Sequence, residues 1–127
     1  RISLIRHPCD WLAACYAHLK CEEGWGSNHM QPFPGLCRDS LDAFVWGYLQ
    51  HPGCIGQLFD RYEADVCLRI EDMPWAFLEM LRSLDVPRVL INRLKGKPQL
   101  TQAVFTPQLR SLILRSEENF ADRYDYW

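Results

Sequence analysis

Apolar positions along the chain change period several times, and each change marks an element. Ile2, Leu4 and Ile5 form a short apolar run closed by Arg6, which reads as a buried strand over residues 2–6. Pro8 follows two positions later. Its missing N–H costs nothing in the first turn of a helix, and the Asp10 carboxylate complements the positive end of that helix. Trp11, Leu12, Cys15 and Leu19 then recur at helical spacing, predicting a helix over 8–20. Gly24, Gly26, Ser27, Asn28, Pro32, Pro34 and Gly35 interrupt any period, so 21–38 reads as a long loop. Connections of that length usually carry function or move.

Asp39 or Ser40 can cap the next helix, whose stripe is Leu41, Phe44, Val45, Tyr48 and Leu49. His51-Pro52-Gly53 ends it, and Ile55, Leu58, Phe59 and Tyr62 mark a short third helix. Val66, Leu68 and Ile70 alternate with Cys67, Arg69 and Glu71, the pattern of a half-buried strand. Pro74 opens a helix carrying Trp75, Leu78, Leu81 and Leu84. Val86 to Leu94 is a connector in which Val89-Leu90-Ile91 is a candidate third strand. Thr106-Pro107 combines a cap with a first-turn proline and predicts a last helix burying Leu109, Leu112, Ile113 and Phe120. Strands separated by helices favour an α/β class over a bundle.

Composition narrows the classes. With 127 residues, 48% of them apolar and 13% aromatic, the chain suits one domain, 1–127, with a real core. A net charge of -2 does not suggest a nucleic-acid or membrane-surface binder. A local anion site needs only two or three cations and stays open. No apolar run approaches the roughly 20 residues that span a bilayer, and nothing reads as a secretory leader. Arg1 in place of a methionine suggests that the gene product begins upstream.

Six cysteines stand in the chain, none in a C-x-x-C pair. His18 and Cys21 are at metal-ligand spacing but lack a second pair, so no metal is expected. Cys21 and Cys37 bracket the loop and would suit a disulfide in a secreted, stapled domain, in which all six thiols would resist alkylation. Reduced, mostly buried thiols in a cytoplasmic protein are the favoured alternative.

Arg6 is where candidate chemistry concentrates. A cation at the carboxyl end of a strand, beside a helix N-terminus, is where open α/β sheets bind anions. Arg6 can hold a phosphate bidentately, with the following helix amides adding donors. The series Arg6, Pro8, Asp10, position 14 and Tyr16 resembles the 3'-phosphate-binding segment of the sulfotransferase superfamily, enzymes that use 3'-phosphoadenosine 5'-phosphosulfate. Phe59-Asp60-Arg61-Tyr62 and the strand running into Glu71-Asp72 resemble the family's late strand and acidic pair. The ending Phe120-Ala121-Asp122-Arg123-Tyr124-Asp125-Tyr126 is similar to that of many bacterial members. The resemblance covers the chain in order. It implies the helix-rich C-terminal portion of a P-loop-type, three-layer α/β fold with two or three strands.

The same resemblance implies roles for single residues. Arg6 would grip the donor's 3'-phosphate, position 14 would contact it, and Lys95 of Lys95-Gly96-Lys97 would supply a further basic contact. Position 14, a serine in the family, is Ala14. Cys15 is next door but about 100° around the helix, which makes it a poor replacement. The family's 5'-phosphosulfate loop lies upstream, and no G-x-x-x-x-G-K-[ST] motif occurs here. The donor-loop half and the usual catalytic base are therefore expected outside these residues. No catalytic residue is assigned, and the fragment alone should not turn over.

The loop residues Trp25 and His29 are candidates for contact with a small-molecule or saccharide acceptor. His7 either meets ligand or faces solvent, and His18 reads as a partly exposed polar residue. Glu71 and Asp72 are better explained by a bond to Arg69 or to neighbouring backbone than as a catalytic pair. Phe44, Trp46 and Tyr48 read as core. The function implied is sulfuryl transfer to a hydroxyl or amine, without nucleic acid or membrane and compatible with a homodimer. The alternative is a degenerate, non-catalytic relative acting as a helical binding module.

Overall fold

The computed structural model describes residues 1–20, 40–61, 64–85, 87 and 105–127. Two runs of strand-forming residues, β1 (Ile2–Ile5) and β2 (Val66–Arg69), pair in parallel, with Ile2 opposite Val66 and Ile5 opposite Arg69. Parallel neighbours need a crossover, which here contains α1 (Pro8–Lys20), α2 (Leu41–Tyr48) and α3 (Cys54–Asp60). A 3-10 turn (Ile70–Asp72) leaves β2 and leads to α4 (Trp75–Ser83). The chain ends in α5 (Pro107–Ser116) and α6 (Glu118–Tyr124). The described residues form a mixed α/β chain, mostly helical, around a two-stranded parallel sheet.

The helix starts follow the local chemistry. The Ser40 hydroxyl accepts the N–H of Ala43 at 3.1 Å, and the Thr106 hydroxyl accepts that of Leu109 at 3.3 Å, with Pro107 in the first turn. The core gathers Ile5 of β1, Trp11, Leu12 and Cys15 of α1, and Phe44, Val45 and Tyr48 of α2. Ile55, Leu109, Ile113, Phe120 and Tyr126 complete it. Phe120 stacks on Phe59 at 5.3 Å and on Tyr126 at 5.9 Å between ring centroids. Truncating a fully buried aliphatic such as Leu12 or Ile113 would cost about 2–5 kcal/mol.

Two expectations are corrected, for β1 and for the last helix. β1 is not buried along its length: Ile2 is 50% and Leu4 48% exposed, and Val66 beside Ile2 is exposed as well, whereas Leu68 beside Leu4 is buried, so the face is covered only in part among the described residues. Parallel sheets normally have both faces covered. In α4, which packs against β2, no residue is buried and Trp75 is 72% exposed. The last helix is two helices: the chain turns at Glu117, whose side chain points inward, and Leu112 lies on the open face of α5. The 21–38 loop, Tyr62 and the third strand at Val89-Leu90-Ile91 lie outside the described residues.

Candidate anion-binding site

Arg6 stands one residue beyond the β1 ladder, between strand and helix. Its side chain lines a cleft of about 360 Å³ together with Leu4, Trp11, Ala14, Cys15, Phe59 and Ile70. Two of the three residues expected at the donor phosphate, Arg6 and Ala14, are thus brought to one cavity; Lys95 lies outside the described residues, as do Trp25 and His29. Cys15 also lines the cleft, against the expectation that it points away. Trp11, Ala14 and Cys15 are spaced i, i+3, i+4, the spacing that shares one helix face.

Among the described residues that line the cleft, Arg6 is the one cation and the walls are apolar. The Arg6 Nε is buried and, among the described residues, has no hydrogen-bond partner. A buried donor left unpaired costs about 1–3 kcal/mol, so the Nε beside the cleft needs an explanation. Burial pushes the Cys15 thiol up to about 12 although the Arg6 cation pulls it down, so it stays protonated and is at most a weak donor.

The helix amides behave differently from expectation. Pro8 has no N–H, and the N–H of Cys9 donates to the His7 ring Nδ1 at 3.1 Å. The carbonyl of His7 accepts from Trp11 at 2.9 Å. His7 thus caps α1 with its ring and takes a first-turn donor that would otherwise face an anion. It does not face solvent: it is 7% exposed. The Arg110 Nη2, which can only donate, lies 3.1 Å from Nε2, so both ring nitrogens face donors and a neutral ring, which keeps one acceptor, suits the site better than a charged one. Burial first, and Arg110 second, hold the His7 pKa below its ordinary value, with Asp10 and Glu71 opposing.

Glu71 has the backbone role expected of it. Its Oε1 accepts the N–H of His7 at 2.6 Å, and its Oε2 accepts the Tyr126 hydroxyl at 3.1 Å. Asp72 pairs with Arg69 at 3.2 Å. Tyr126 belongs to the chain-ending motif, but nothing in the sequence points to its contact with Glu71. It follows Asp125, whose φ of 54° ends α6 and turns the chain back on the core, and no periodicity announces that turn. His7 carried a usable signal, since it immediately precedes a first-turn proline and so occupies the cap position.

Other chemistry is sparse. Cys9, Cys15, Cys54 and Cys67 are free thiols. Among the described residues no group of three or more His, Cys, Asp or Glu is placed to hold a metal, and no helix is long and apolar enough to cross a membrane. Comparison of the chain with known protein families, characterised proteins and solved structures finds no match.

Proposed function

We propose that this chain is the C-terminal portion of a sulfotransferase-like protein in which Arg6 binds the 3'-phosphate of a 3'-phosphoadenosine 5'-phosphosulfate-type donor. One observation carries the reading: the Arg6 side chain lines a cleft together with Ala14, and its buried Nε has no hydrogen-bond partner among the described residues. A guanidinium takes a phosphate through paired N–H donors, and the apolar walls of Leu4, Trp11, Phe59 and Ile70 strengthen that attraction by keeping water away. The donor supplies the sulfuryl group, which passes in line to a hydroxyl or amine of a small-molecule or saccharide acceptor as the bond from sulfur to the 5'-phosphate oxygen breaks and adenosine 3',5'-bisphosphate leaves. Arg6 anchors the far end of the donor, and the base that deprotonates the acceptor comes from outside these residues. The exposure of the apolar strand residues Ile2, Leu4 and Val66 supports the finer fold reading, in which further strands and a helical layer complete a P-loop-type sheet. The free thiols support a reducing, cytoplasmic setting.

A second reading, a non-catalytic relative, is favoured by two details: Ala14 offers no hydroxyl, and the Cys9 amide is already taken by His7. A Gly-Lys-Thr or Gly-Lys-Ser turn after an upstream strand would mark the enzyme and count against this alternative. Titration of the full-length protein with adenosine 3',5'-bisphosphate tests the site itself. Arg6→Ala should weaken binding by about tenfold or more. Equal binding by wild type and Arg6→Ala, or binding by neither, rejects the assignment.

A further inference from the structure

The His7–Glu71 bond repeats the register of the sheet. Ile5 pairs with Arg69, and the His7 amide meets the Glu71 carboxylate at the same separation of 64 residues. Where the ladder runs out, a side chain takes over from the backbone carbonyl of the neighbouring strand. The His7 N–H belongs to the peptide plane that also contains the Arg6 carbonyl. Fixing its direction fixes the backbone of Arg6 on its C-terminal side, and with it the line along which the guanidinium leaves the chain.

Glu71 is itself held from the far end of the chain. The Tyr126 hydroxyl bonds its second oxygen, and the Tyr126 ring meets the His7 ring edge-on at 5.2 Å and 74°. The Arg69 guanidinium lies over the same ring at 4.9 Å, while its Nη1 donates to the carbonyls of Tyr124 at 3.4 Å and Asp125 at 3.2 Å. These contacts seat the C-terminal residues against the strand-to-helix turn that presents Arg6.

We propose that Glu71 is the positioning residue of the Arg6 site, and that Tyr126 clamps its carboxylate in the orientation that holds the His7 amide. The proposal rests on the phosphate-binding reading of Arg6 given above. Glu71 touches no ligand. It sets the angle of the arginine that does, so anion affinity depends on a hydroxyl close to the C-terminal end of the described chain. Part of the site is then assembled only when the segment after α6 has docked.

Three variants of the full-length protein, titrated with adenosine 3',5'-bisphosphate, separate positioning from general stability. Glu71→Ala should weaken binding by about tenfold, and Glu71→Gln, whose amide oxygen still accepts from His7, should recover it to within about threefold of wild type. Tyr126→Phe keeps the ring against His7, Arg69 and Phe120 and removes only the hydroxyl. Its affinity should fall by about threefold, with an upfield shift of the His7 amide proton in the NMR spectrum. Wild-type affinity in Glu71→Ala or in Tyr126→Phe, with Arg6→Ala still impaired, overturns the positioning role and leaves the phosphate reading standing. Equal binding by wild type and Arg6→Ala overturns both.

Discussion

The carboxylate of Glu117 accepts the backbone N–H of Gly56 at 2.9 Å, across 61 residues of chain. Its other oxygen accepts the N–H of Ile55 at 3.1 Å and the hydroxyl of Tyr48. The helix that it caps, α3, has only seven residues and no side-chain cap bond from its own N-cap residue, Gly53. So short a helix does not hold by itself. A buried charge aimed at its positive end supplies what the local sequence lacks.

That arrangement makes Glu117 a stability residue. Glu117→Ala leaves the Ile55 and Gly56 amides and the Tyr48 hydroxyl without their acceptor and should destabilise the fold by about 3 kcal/mol. Glu117→Gln retains one acceptor oxygen and should lose about half as much. Urea unfolding followed by circular dichroism measures both. Alanine within about 0.5 kcal/mol of wild type would show that the cap contributes little.

Two glycines beside this cap should respond in opposite directions. Gly53 has φ of 77°, a left-handed backbone, so Gly53→Ala should destabilise by about 1 kcal/mol. Gly56 is helical, and an added Cβ would meet Phe120 at 3.5 Å and the Glu117 Oε2 at 3.6 Å, ordinary contact distances. Gly56→Ala should therefore stabilise by about 0.5–1 kcal/mol through the lower backbone entropy of the unfolded chain. Thermal melts of the two variants give the answer. A Gly56→Ala protein that melts lower than wild type would mean that the Glu117 cap has no room for the methyl group.

Elements with local causes were legible in the sequence. Pro8, Ser40 and Thr106-Pro107 announce their helices through missing or capped N–H groups, and the stripes of α1 and α2 show in their apolar spacing. The Arg6–Ala14 pairing was legible too, because strand end and first helical turns are contiguous. The non-local pieces were not. The inward turn of Glu117 hides inside one helical pattern, since Leu109, Leu112, Ile113 and Phe120 keep a plausible period across the break. The parallel register that brings Glu71 to His7 is set by packing of three intervening helices, and no single residue encodes it. The apolar run of β1 reports a strand but not how far each face is covered, so Ile2 and Leu4 read as buried.

The depressed pKa of His7 has a direct consequence for stability. Its folded pKa lies below the ordinary value of 6.5, so at neutral pH the ring is uncharged in both folded and unfolded chains. As pH falls through 6.5 the unfolded chain takes up the proton first, and stability declines until the folded pKa is passed. His7→Asn keeps a cap for Cys9 and removes the titration. Unfolding free energy measured between neutral pH and the folded pKa should fall more steeply for wild type than for His7→Asn. Parallel curves would place the His7 ring in contact with water, outside the buried cap.

Ala14 offers the sharpest test of the cleft. It lines the cavity beside Arg6, one helical turn on from Trp11, so a hydroxyl there would face the same ligand atoms as the guanidinium. The neighbouring Cys15 does not already fill that role, because its thiol is a weak donor held protonated by burial. Ala14→Ser adds a donor to a charged acceptor, worth about 1.5–3 kcal/mol, and should tighten adenosine 3',5'-bisphosphate binding by about tenfold or more. Because serine in the second turn of α1 lowers helix propensity slightly, stability should drop by a few tenths of a kcal/mol, or about 0.5, while affinity rises. That opposition separates a ligand contact from a general gain in order. In Ala14→Ser/Arg6→Ala the gain should shrink, since the phosphate is no longer anchored against the new hydroxyl. An affinity that is unchanged in Ala14→Ser, with Arg6→Ala still impaired, would put the phosphate on the Leu4–Ile70 side of the cleft, away from α1.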